Sequence, residues 1–150
     1  MDKDKMLRLD NQLCFLIYAG SRAMTRMYKS LLDTLGVTYP QYLVLLVLWE
    51  EKKASVKKLG SRLHLDSGTL TPLLKRMESA GLLSRERSVD DERKVYIRLT
   101  EKGGKLKSKA YDVPEQMMCK SGLTMEQYLQ LKSGLEALLH NIKKIDASKP

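Results

Sequence analysis

The sequence predicts a mostly α-helical fold that carries one small β-hairpin. Two observations lead there. Apolar residues recur at three- and four-residue steps along most of the 150 residues, and one stretch near residue 95 alternates as a strand does. Hydroxyl and acidic caps, glycine stops and capping boxes divide the helical pattern into separate pieces.

Residues 10–35 read as one long helix, with Leu13, Leu16, Ile17, Gly20, Met24, Met27, Leu31 and Leu35 on its spacing and Gly36 as the stop. Thr38 and Gln41 form a capping box, and Pro40 is tolerated in the first turn of the helix they open. That helix, to about residue 52, is apolar nearly all round, which predicts the core helix. Ser55 caps a short helix over 56–63 with Val56, Leu59 and Leu63 inward. Asp66 or Ser67 caps the next, to about residue 80, with Leu70, Leu73, Leu74 and Met77 in one buried stripe; Pro72 removes one backbone bond there. Residues 82–87 and 93–99 read as a hairpin with a polar tip, since Val95, Ile97 and Leu99 alternate with Lys94, Tyr96 and Arg98. Thr100 caps a helix towards Cys119, which Pro114 is expected to kink. Thr124 and Gln127 cap a last helix to about residue 144.

Two short helices with a hairpin behind them make a winged helix-turn-helix, at about 38–99 of a single domain over 1–150. The long helices flanking it, about 8–36 and 100–145, have apolar faces that one such module cannot cover. A homodimer joined through them is the economical answer, against a larger monomeric bundle.

Charge supports a polyanion partner. Residues 52–109 carry sixteen basic and seven acidic side chains and so hold the whole net charge of +9, while both flanks are neutral. If the helix over 66–80 enters a major groove, Ser67, Thr69, Thr71, Pro72, Lys75 and Arg76 face outward, and Arg76 can reach a guanine edge. Arg85, Arg87, Arg93 and Lys94 crowd the hairpin, where an arginine at the tip can enter a narrow minor groove. Asp90 and Asp91 do not suit phosphate; one of them is expected to orient Arg93 through a charge-assisted bond. The plain alternative is a solvated basic face, or a winged helix used for protein contacts.

Other classes find little support. Two cysteines do not make a disulfide scaffold, the longest apolar run has eight residues, and residues 1–8 lack the apolar core of a signal peptide. A cytoplasmic location, no membrane association and no cofactor are expected. Nucleotide-binding glycine motifs and hydrolase signatures are absent, so no enzyme is expected, and His64 and His140 stand too far apart in sequence to indicate a metal site.

The run Asp91-Glu92-Arg93-Lys94-Val95-Tyr96-Ile97-Arg98-Leu99-Thr100, followed by Glu101-Lys102-Gly103, resembles the wing-to-helix signature of MarR-type transcriptional regulators. Residues 70–78 with Gly81-Leu82-Leu83 resemble the recognition helix of that family, and the likeness spans roughly 8–143. The resemblance implies homodimers on pseudo-palindromic operators, usually repressors, with Asp91 and Arg93 as the wing pair and Arg93 as the minor-groove reader. Residues 9–15 around Cys14, the tyrosines Tyr18, Tyr28 and Tyr39, and residues 112–119 ending in Cys119 resemble the organic-hydroperoxide-sensing, OhrR-type branch. That likeness implies Cys14 as the peroxide-reactive thiol and Cys119 as a resolving thiol across the dimer.

The chemistry is coherent: a thiolate gives sulfenic acid with peroxide, and a second thiol captures it. Tyr18 lies one turn after Cys14. Tyr28 shares that face but sits about 21 Å along the helix, so it cannot bond its own Cys14. In an antiparallel dimer the partner's Tyr28 can, joined by Tyr39. The competing reading is a repressor released by a small aromatic or phenolic ligand, with passive cysteines.

Overall fold

The computed structural model describes residues 2–147. It contains eight α-helices and three strands among those residues: α1 (Lys3–Met6), α2 (Leu13–Leu32), α3 (Tyr39–Glu51), β1 (Lys53–Ser55), α4 (Val56–Leu63), α5 (Ser67–Ser79), β2 (Leu83–Arg87), β3 (Val95–Leu99), α6 (Glu101–Ala110), α7 (Val113–Ser121) and α8 (Met125–Ala147). The chain forms two compact units, Met1–Pro114 and Glu115–Pro150.

The first long helix is shorter than its apolar pattern. It begins at Leu13, after a separate 3-10 turn at Leu9–Asn11, and tightens into another over Asp33–Leu35. Gly36 then takes the left-handed conformation at φ 66°, the stop read from the sequence. The expected capping box opens α3, with the Thr38 backbone N–H donating to the Gln41 side chain at 2.9 Å and the Gln41 N–H to Thr38 Oγ1 at 3.4 Å.

α3 is the core of the first unit. Val44, Leu45 and Leu48 are wholly buried, together with Leu59 of α4, Leu70 and Met77 of α5, and Ile97 of β3. Among the described residues no single helix is long and apolar enough to cross a membrane; the segment α2 to α3 reaches that composition only as a pair bent by 66°.

The sheet has one strand more than the expected hairpin. β1 pairs antiparallel with β3, through Lys53 opposite Arg98 and Ala54 opposite Ile97, which gives the order β1-β3-β2. Three residues are too few to show a period of two. On the sheet's outer face Glu86 of β2 accepts Lys53 at 3.5 Å and Arg98 at 3.3 Å, and Lys53 lies 4.5 Å above the Tyr96 ring.

The helix expected over 100–119 is a correction. α6 stops at Ala110, and α7 begins at Val113. Pro114 has no N–H for the carbonyl of Ala110 and its ring crowds that carbonyl, so the helix breaks and restarts with proline in its first turn, where an N–H is not needed.

Asp66, not Ser67, caps α5: its Oδ1 accepts the Thr69 N–H at 2.8 Å, and its Oδ2 the Thr69 hydroxyl at 3.3 Å. The Thr69 backbone bond holds the carboxyl below its ordinary range. A lowered native pKa gives stability that is complete above the unfolded value, about 3.9, and is lost as pH falls through the native one. Asp66→Asn, a cap that does not titrate, is expected to abolish this loss in melting temperatures followed below pH 4, a threshold of about the carboxylate range.

Candidate DNA interface and thiol positions

α5 exposes the residues that the sequence reading assigns to a major groove. Ser67, Thr69, Thr71, Pro72, Lys75 and Arg76 are exposed, while Leu70, Leu73, Leu74 and Met77 are buried beneath them. The helix runs unbroken through Pro72. The carbonyl that Pro72 leaves without a helical donor belongs to exposed Gly68, where water can satisfy it.

The wing is closed by its own backbone. The Ser88 N–H donates to the Lys94 carbonyl at 2.8 Å, and the Lys94 N–H to the Asp91 carbonyl at 2.9 Å. Asp91 Oδ1 accepts the backbone N–H of Arg93 at 3.1 Å. The aspartate thus orients Arg93 through a charge-assisted bond, made to the backbone N–H and not to the guanidinium, and orders the turn that carries it.

The sixteen cations of residues 52–109 divide into two groups. Lys53, Lys58, Arg62, Arg85, Arg98 and Lys105 are in ion pairs. Glu51 is held below the ordinary carboxylate range, chiefly by its hydrogen bond from Lys58, so the pairs of α4 are charged at neutral pH. Lys102 and Lys107 donate to the carbonyls of Ala80 and Trp49. By contrast Lys52, Lys57, Lys75, Arg76, Arg87, Arg93, Lys94 and Lys109 have no ion pair or side-chain hydrogen bond to the described protein. A cleft of about 490 Å³ between α4, α5 and the wing gathers Lys57, Thr71, Arg85, Arg93, Lys94 and Tyr96.

Lys57 was missed by the sequence reading. It stands in the first turn of α4, on the side away from Val56 and Leu59, and its distance from the hairpin in sequence hid their meeting. Arg85 was expected as a free cation, yet Glu78 holds it at 2.8 Å. Lys57→Ala is expected to reduce the slope of log affinity against log salt by about one and to weaken operator and unrelated DNA alike. Arg93→Ala is expected to weaken operator more than unrelated DNA, by about tenfold, in the same titrations.

The thiols lie elsewhere. Cys14 is the second residue of α2 and Cys119 lies on α7; both are free and exposed. Tyr18 accepts a hydrogen bond from Arg22 at 2.8 Å, with the guanidinium 5.4 Å from its ring centre. Tyr28 and Tyr39 come together in one chain, ring centres 4.6 Å apart, and Tyr42 lies 5.9 Å from Tyr28. Burial pushes the Tyr39 phenol up, which keeps it a neutral hydrogen-bond donor.

A recognition helix, a cationic wing and unpaired lysines and arginines between them define a winged-helix DNA-binding protein. The model of the SarA/Rot transcriptional regulators matches residues 26–110. The organic hydroperoxide resistance transcriptional regulator of Bacillus subtilis is 57% identical over 136 residues, 91% of this chain and 92% of that one. Reduced AbfR bound to DNA, a protein of Staphylococcus epidermidis, matches with a TM-score of 0.79 at 39% identity, over 95% of this chain and 98% of that one. AbfR with its disulfide formed matches with a TM-score of 0.64 at 39% identity, over 91% and 96%. A variant of MarR from E. coli on operator DNA gives 0.75 at 26% identity, over 85% and 93%. The chain belongs to the MarR family of transcriptional regulators, in the organic-hydroperoxide branch. It is a DNA-binding regulator and not an enzyme.

Proposed function

We propose that this protein is a homodimeric repressor, released from a pseudo-palindromic operator when organic peroxide oxidises Cys14 and the product is bridged to the partner's Cys119. The observation that carries the reading is an exposed thiol on a helix whose apolar side chains also face outward. Leu13, Leu16 and Tyr18 of α2 are 64%, 60% and 58% exposed. α8 buries none of its residues within its own chain. A second copy covering such faces places Cys14 beside an interface. The names of the B. subtilis regulator and of the reduced and disulfide forms of AbfR support thiol chemistry in this branch.

The steps balance. The Cys14 thiolate attacks the peroxide O–O bond; with one proton taken up, the sulfur gains a hydroxyl and an alcohol leaves. The partner's Cys119 thiol then displaces that hydroxyl as water, forming the S–S bond. The partner's Tyr28 and Tyr39 are the donors assigned to the Cys14 thiolate, a role that their pairing and the neutral Tyr39 phenol support.

The test is intact mass and non-reducing migration after one equivalent of an organic hydroperoxide, without small thiols. The expected product is a covalent dimer, lost in Cys14→Ser and in Cys119→Ser. A monomer carrying one added oxygen removes Cys119 from the mechanism. An unmodified chain removes the redox reading and favours release by a small aromatic ligand.

A further inference from the structure

We infer that Glu78 is a positioning residue for operator recognition: an acidic strut that sets the wing against the recognition helix through Arg85. One carboxylate there takes three bonds. Its Oε1 accepts the Arg85 backbone N–H at 3.2 Å, and its Oε2 accepts Arg85 Nε at 2.8 Å and Nη2 at 2.8 Å. Both side chains are only about one-third exposed, at 35% and 34%.

The register explains why the strut falls there. Leu83 opposes Leu99, Arg85 opposes Ile97, and Arg87 opposes Val95, so these pairs share the inner face of the hairpin. Leu83 and Ile97 are buried against the core. Arg85, next outward from Leu83 on β2, meets α5. Arg87, next again, has no ion pair or side-chain hydrogen bond among the described residues. One strand face thus passes from core to strut to free cation in three alternate residues. The strut fixes the backbone of β2 as well as a side chain, so it sets the separation of α5 from the Arg87 and Arg93 cations.

Simple electrostatics makes the opposite prediction, which gives the inference its test. Removing a carboxylate from a cationic module should strengthen binding to any DNA. Loss of a strut should weaken operator binding and spare unrelated DNA. The inference rests on DNA binding by this module; failure of that premise would appear as absence of salt-dependent DNA binding by the unaltered chain.

The experiment measures dissociation constants of the full reduced chain for an operator and for an unrelated duplex of equal length, across salt concentrations. Glu78→Gln is expected to lose roughly tenfold on operator and nothing on the unrelated duplex. Arg85→Ala is expected to lose operator affinity with an unchanged salt slope on the unrelated duplex. Operator binding by Glu78→Gln equal to or tighter than the parent overturns the inference, as does a slope reduced by about one in Arg85→Ala, which would make Arg85 a phosphate contact. Should Glu78→Gln melt early, Glu78→Arg alone and combined with Arg85→Glu decides. Recovery of operator affinity in the combined variant supports the strut, and no recovery refutes it.

Discussion

One equivalent of an organic hydroperoxide is expected to lower operator affinity at least about a hundredfold, and Cys14→Ser is expected to keep full affinity. The size follows from spacing. Two recognition helices must meet successive major grooves about 34 Å apart. A bridge between Cys14 and the partner's Cys119 draws on α2 and α7, the elements flanking the winged module. A rotation that takes one module out of register forfeits its base contacts, at roughly 1–3 kcal/mol per position. Two such positions amount to about 3 kcal/mol, or two decades of affinity. Binding to unrelated DNA, which we assign to Lys57, Lys75 and the wing cations, should change little because it needs no register. Fluorescence anisotropy with both duplexes, before and after oxidant and after added reductant, checks this. Equal operator affinity for oxidised and reduced protein would sink the release mechanism.

The second large effect concerns stability. Gly103→Ala is expected to destabilise the protein by about 3 kcal/mol. A Cβ at position 103 would lie 2.1 Å from the Leu82 carbonyl oxygen and 3.0 Å from a methyl of Leu99. The carbonyl cannot step aside cheaply, since it accepts the Thr100 N–H at 3.2 Å. Gly103 is itself pinned: its N–H donates to Thr100 Oγ1 at 3.1 Å, and its carbonyl accepts Trp49 Nε1 at 3.0 Å. The expected fall in melting temperature is about 6–12 °C. Gly104 supplies the control, because a Cβ there meets nothing within 4 Å. Gly104→Ala should raise stability by about 0.5–1 kcal/mol through helix propensity alone. Opposite signs at adjacent glycines separate packing from propensity; equal melting shifts would refute the close approach.

Much of this architecture was legible because local rules set it. The Thr38 and Thr124 capping boxes, the Gly36 stop and the α5 core stripe all depend on residues within one or two turns. So did the outward-facing residues of α5, which follow from the stripe by elimination. What escaped depends on distant pairings. β1 is a strand because β3 offers it an edge, and Lys57 gains meaning because the wing folds over α4. Arg85 read as a free cation because its partner Glu78 stands seven residues away, across a turn, and an isolated glutamate in a helix carries no visible assignment. The break before Pro114 was a matter of degree: proline marked the place, and the restart of α7 decided break over kink. The pairing of Tyr28 with Tyr39 required the bend between α2 and α3, which periodicity does not fix.

The strand order also constrains how the chain acquires its structure. The central strand, β3, is the last of the three strands in the chain, and one of its neighbours, β1, precedes both α4 and α5. Closing that pair costs the loop entropy of everything between, which assembly of the two helices offsets in advance. On a ribosome, β1 emerges with an open edge and waits until residues 95–99 follow. The reading head is therefore completed late and in one step, so a nascent chain truncated before the wing would present a recognition helix without the sheet that aligns it.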